Sequence, residues 1–204
     1  MKLFMKFIYL TMALTFGHTA FAQTIVGRAA IGGSIVVLFD NNTWAYEGAE
    51  TPECNTMRQV LTFCDPENLW RPTSKSSAQI TAAYKHDATH YSQFIIENVG
   101  IAEGMSAQNF RDAVINNAAV LTGVTSQDIV IIDIYETDVS GIPAETVVYQ
   151  VNASGLDVVY ANTLILEEHY IFQAMTYSLG TEFLEKHQEL HAYLLENITV
   201  NISQ

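Results

Sequence analysis

His187 and His191 are the side chains best spaced for joint chemistry. They stand in the run His187-Gln188-Glu189-Leu190-His191, one helical turn apart, the spacing at which two imidazoles can meet one metal ion. The glutamate falls one position later than the H-E-x-x-H pattern of zinc proteases requires, so the general base of that reaction is missing. On a helical wheel Phe183, His187, Leu190, His191, Leu194 and Ile198 share one arc, with Glu182, Glu185, Lys186, Glu189 and Glu196 opposite. Both rings are therefore expected to face the interior. Two outcomes stay open. One is a small-molecule or divalent-metal pocket beneath the helix, completed by His169, His86 or His90 and hydrolytic in its strongest form. The other is a pair of core-edge histidines satisfied by tyrosine hydroxyls or backbone carbonyls. His86 and His90 flank a turn, which favours a solvated hairpin over a ligand pair.

The rest of the chain holds little that reads as catalysis. It has no glycine-rich phosphate loop and no G-x-S-x-G elbow. Glu136 with Asp138 and Glu167 with Glu168 are acidic clusters at strand ends, without the converging oxygen loop that calcium needs. We expect no catalytic residues, no enzyme activity and no cofactor, a divalent metal being the alternative.

Charge and leader sequence bound the partners. The chain carries nine basic and twenty-two acidic residues, a net charge of −13. Lys2 and Lys6 precede an apolar stretch, Phe7–Phe16, which is too short to span a bilayer, and Ala20-Phe21-Ala22 follows. This reads as a signal peptide, residues 1–22, cleaved between Ala22 and Gln23, and it predicts a periplasmic or secreted protein. Without it seven basic residues remain against twenty-two acidic ones. Such a surface repels nucleic acid and suits a basic partner, if the partner is charged. No later segment suggests stable membrane insertion after cleavage, and composition leaves the oligomeric state open.

The two cysteines, Cys54 and Cys64, are the simplest disulfide an oxidising compartment could form. A metal site there lacks C-x-x-C spacing and neighbouring ligands.

These residues must be positioned by an α+β chain. Residues 23–47 read as a small β-meander, with strands at Thr24–Ala30, Ser34–Phe39 and Thr43–Tyr46. Residues 48–77, broken by Pro52, Pro66 and Pro72, read as a disulfide-stapled linker with one helical turn. An α+β domain, 78–204, follows. Its first two strands are expected at Ala78–Lys85 and His90–Val99. Ser106 is the expected N-cap of a helix reaching Leu121, with Gly123 beyond it and a buried stripe of Ala107, Phe110, Val114, Ala118 and Leu121. Strands are expected at Asp128–Thr137, Glu145–Asn152, Leu156–Leu166 and Tyr170–Leu179, joined by hairpins at Ser140-Gly141, Ser154-Gly155 and Glu167-Glu168-His169. A helix from Thr181 to Asn197 ends the domain. Ile129–Ile132 and Val158–Tyr160 are apolar at successive positions, so both faces of the antiparallel sheet should be covered, one helix on each.

The order of strand pair, helix, meander and terminal helix resembles the Mog1/PsbP-like fold and bacterial periplasmic proteins of uncharacterised function that share it. The residues carrying the resemblance are Ile101-Ala102-Glu103-Gly104-Met105-Ser106, the meander with Gly155 and Tyr160, and Phe172-Gln173-Ala174-Met175-Thr176-Tyr177. It spans roughly 78–202. The first meander resembles a short module with an Asp-Asn turn and a Thr-Trp-x-Tyr strand found at the start of many bacterial envelope proteins. The resemblance implies an α/β/α sandwich and an accessory, protein-docking role, and it transfers no functional residue. The expected function is thus an exported, non-catalytic envelope protein that binds another protein. The alternatives are the histidine pocket and an immunity-type protein neutralising a secreted toxin.

Overall fold

The computed structural model describes residues 25–31, 34–40, 44–46 and 54–201. The expected signal segment and its Ala22–Gln23 junction lie outside them. The chain divides into two compact units, Met1–Glu50 and Thr51–Gln204. In the first, β1 (Ile25–Ile31), β2 (Ser34–Phe39) and β3 (Trp44–Tyr46) form an antiparallel sheet in that order, with Val36 and Val37 buried.

The second unit begins where the linker was expected, and that expectation is corrected. β4 (Cys54–Met57) and β5 (Leu61–Cys64) make a hairpin in which Cys54 faces Cys64, and the two are joined as a disulfide. The hairpin escapes sequence reading because its turn uses Arg58 and Gln59 at positive φ, +48° and +65°, where glycine or asparagine would be the signal. Leu61 and Phe63 are buried because the chain returns to them: β13 (Ile198–Val200) pairs with β5.

β6 (Arg71–Pro72), β7 (Ile80–Lys85), β8 (His90–Glu97), β9 (Val130–Val139), β10 (Ile142–Ala153), β11 (Leu156–Leu166) and β12 (Ile171–Leu179) form one antiparallel sheet. Their spatial order is β6-β7-β8-β12-β11-β10-β9. Tight turns set the register: Ser154 and Gly155 both have positive φ, and Asn152 accepts the Gly155 N–H at 2.9 Å.

Two helices take different faces of this sheet. α1 (Ala107–Thr122) starts at Ser106, whose hydroxyl accepts the Asn109 N–H, and stops at Gly123 in the left-handed region. Phe110, Val114 and Ala119 pack with Val147, Tyr149, Val151, Val158 and Leu164. α2 (Glu185–Glu196) is shorter than expected, chiefly at its start, where Leu184 is the N-cap in extended conformation, and Ile198 leaves the helix for β13. Its Leu190, Leu194 and Leu195 join Phe94, Ile165, Phe172, Phe63 and Trp70.

Two expectations about burial are overturned. Leu121 is 87% exposed and Ala107 is also exposed, because the packing stripe of α1 runs through Ala119 and the last turn stands clear of the sheet. Val130, Ile131, Ile132 and Ile134 are 40–56% exposed, because β9 is the edge strand and a short helix covers only the strands beneath it. The central run Val158-Val159 is buried as its composition implies.

Candidate functional site

His187 and His191 face inward on α2, each 1% exposed. Their neighbours are hydroxyls of the sheet, not the tyrosines or carbonyls considered above. Ser178 Oγ lies 2.9 Å from His187 Nδ1, and Thr176 Oγ1 lies 2.9 Å from both His187 Nε2 and His191 Nδ1. Thr163 Oγ1 is 2.8 Å from His191 Nε2 and 2.7 Å from Thr146 Oγ1. All four ring nitrogens therefore have a hydroxyl partner. A single Thr176 proton cannot serve two acceptors, so at least one imidazole donates its N–H to Thr176. Both rings are neutral at neutral pH. Burial drives both that way, holding His187 at about 4 and His191 at about 3. Neither imidazole contacts a carboxylate, and Ser178 is itself buried, so the pair offers no nucleophile to solvent.

The other histidines separate into two places. The His90 ring is 6.1 Å from that of His187, and His86 is 6.3 Å from His90. Partial burial would raise the Asp87 carboxyl beside them, but the Thr89 and His90 N–H groups and the His90 ring hold it well below the carboxylate range. His169 is not part of this line: its side chain is 63% exposed and bonds Glu103 at 3.2 Å. Among the described residues no three His, Cys, Asp or Glu side chains group as a metal-binding set.

The opposite face holds an open groove. It has a volume of about 580 Å³ and lies between the second half of α1 and strands β7, β8, β10, β11 and β12. Its wall carries a row that sequence reading missed. Tyr149, Tyr160 and Tyr177 line the groove, and with Tyr91, which lies beyond the groove lining, they are direct cross-strand partners on four adjacent strands, with ring centroids 5.3, 5.1 and 5.2 Å apart. Burial, then the neighbouring phenol, pushes Tyr160 up to about 12 and raises Tyr177. These phenols stay protonated and can donate hydrogen bonds at neutral pH. Gln79, Gln93, Gln173 and Asn117 add amides; Ile95, Val114 and Met175 add apolar surface. At the lip Val120 and Leu121 are 78% and 87% exposed. A signal for part of the row was present: Tyr149 and Tyr160 are equidistant from the Ser154-Gly155 turn, and hairpin symmetry makes them partners.

No protein-family model matches the sequence, and no curated protein matches it. Solved structures do match. Cyanobacterial PsbP from Synechocystis superposes with a TM-score of 0.52 at 12% identity, over 72% of this chain and 91% of that protein. LpqN, described as involved in cell envelope biogenesis of Mycobacterium tuberculosis, gives 0.48 at 11% identity, over 75% of this chain and 87% of LpqN. The immunity protein TplEi of Pseudomonas aeruginosa gives 0.35 at 13% identity, over 88% of this chain and 79% of that one. The last two superpose too loosely to carry an argument. The fold is PsbP-like: α+β, with a large antiparallel sheet and two helices.

Proposed function

We propose that this is an exported, non-catalytic binding protein that seats an extended, uncharged segment of a partner protein in the groove beside α1. The observation carrying this reading is the groove wall: phenols and four amides, uncharged groups that both donate and accept, with Glu97 the one charged side chain in the lining. That is the chemistry of a peptide backbone, whose N–H and C=O groups alternate in the same way. Val120 and Leu121 add exposed apolar surface of the kind that marks interaction sites. Export is supported by the Cys54–Cys64 disulfide. Among the described residues, no helix is long and apolar enough to cross a membrane. A toxin-neutralising role is a special case, in which the acidic surface would steer a basic toxin towards the groove.

The test places a photo-crosslinking residue at Leu121, at Gln93 and, as a control, at exposed Glu189 on α2, in cells expressing the full chain. A discrete adduct from Leu121 and Gln93, lost when Met175→Trp fills the groove, supports the reading. Equal adducts from Glu189, or adducts indifferent to Met175→Trp, overturn it. Metal capture by His187 and His191 would require both rings to leave their hydroxyls. Metal content of untagged protein beside a His187→Ala/His191→Ala variant measures that directly.

A further inference from the structure

From Thr51 onward the chain has only six basic side chains, Arg58, Arg71, Lys75, Lys85, Arg111 and Lys186, against nineteen acidic ones. Two of these six, Arg71 on β6 and Lys85 on β7, face one another as direct cross-strand partners. Like charges in that relation weaken a ladder, and here carboxylates are abundant while cations are scarce. Arg111 has Glu145 at 3.4 Å and Arg58 has Asn98 at 3.4 Å. Among the described residues, neither Arg71 nor Lys85 has a carboxylate within ion-pair distance.

A pocket of about 380 Å³ opens at this pair, lined also by Pro72, Thr73, His86 and Asp87. Asp87 is an anion in the same lining, but its oxygens are engaged by other donors. Its Oδ1 accepts from the N–H groups of Thr89 and His90 at 2.8 and 2.9 Å, and the His90 ring bridges both its oxygens. His86 Nδ1 lies 2.9 Å from the Leu69 carbonyl, so that nitrogen carries a proton, and Nε2 is 3.8 Å from Asp87 Oδ2. Lys85 Nζ sits 5.7 Å from the Tyr91 ring centroid, a cation–π contact that restrains the ammonium without cancelling its charge.

We propose that this pocket binds an oxyanion, a carboxylate or phosphate group, gripped by the Arg71 fork and the Lys85 ammonium with Thr73 and His86 at its rim. The chemistry is that of a guanidinium offering two parallel N–H donors beside a point charge. The bound anion supplies the charge that the register withholds, and relieves the repulsion between Arg71 and Lys85. The site is separate from the groove and does not depend on what the groove binds.

Titration of the ¹⁵N-labelled full chain with sodium phosphate and with sodium acetate, each against sodium chloride at matched ionic strength, tests this. Saturable amide shifts centred on Arg71, Thr73, Lys85 and His86 are expected, and about tenfold weaker binding in Lys85→Met, the loss of one charged contact. Saturation by phosphate alone assigns a phosphate site, by acetate alone a carboxylate site, and by both a general oxyanion site. Lys85→Glu gives a second readout: it should raise Tm in chloride by pairing with Arg71, and abolish the further rise that the bound anion gives wild type. Shifts that chloride reproduces overturn the proposal, as does unchanged binding by Arg71→Met and Lys85→Met.

Discussion

Thr176 lies between two imidazoles that burial keeps uncharged. A protonated His191 would be a buried cation with no carboxylate in contact. The consequence for stability follows from proton counting. Both histidines are held below their ordinary value of 6.5, near 4 and 3. The unfolded chain therefore binds protons between those limits that the folded chain refuses. The contribution is complete above pH 6.5 and is lost as pH falls towards 4. At its steepest the loss approaches about 2.7 kcal/mol per pH unit for two protons. Urea melts from pH 7.5 to 4.5 should show that slope, and His191→Gln should flatten it. A profile level across this range would mean that the rings are reached by water. The carboxylates act elsewhere: Asp87, Glu103 and Asp128 are held low and matter only at more acidic pH. That the two rings face inward was legible from the wheel. Their partners were not, because Thr163, Thr176 and Ser178 come from other strands and are joined to α2 only by packing.

Among the elements, the turn between β11 and β12 and the lead-in to α1 are fastened together at Gly100. Ile101 and Ala102 donate to the carbonyls of Glu167 and Glu168 at 3.0 and 2.8 Å. A Cβ on Gly100 would meet those carbonyl oxygens at 2.3 and 2.5 Å, so backbone has to move. Gly100→Ala should cost about 2 kcal/mol or more, as a backbone clash does, and lower Tm without changing the content of secondary structure in circular dichroism. The β4–β5 hairpin makes the second prediction. Cys54→Ser/Cys64→Ser should cost roughly 2–3 kcal/mol for a closed loop of this length, measured by urea melts beside wild type. No loss would mean that β13 alone holds the hairpin. Its turn residues, Arg58 and Gln59, show why it read as linker: two long side chains at positive φ contradict local preference, and the pairing with β13 and the disulfide overrule it.

For the whole of the second unit, burial grades outward from β11 and β12. Thr163, Ile165, Phe172 and Ala174 have essentially no exposure, whereas apolar β9 is exposed along its first half. Amide exchange should follow the same order, slowest in β11 and β12 and fastest on the free edge of β9. Protection of β9 equal to that of β12 at low protein concentration would mean that something pairs with this edge in solution.

Local chemistry by itself determined the two helices and the hairpins that join β9 to β12, but not the β4–β5 hairpin. Ser106 and Gly123 mark the ends of α1 because capping involves only neighbours in the chain. Tyr149 and Tyr160 must pair because a two-residue turn at Ser154-Gly155 leaves their strands no other register. The tertiary structure alone decided that Tyr91 on β8 stacks on Tyr177 of β12, that Arg71 meets Lys85, and that β13 returns to β5. In each case the contact follows from how segments are brought side by side, and composition supplies no local signal for it. Most of the tyrosine groove and all of the cationic pocket belong to that second group.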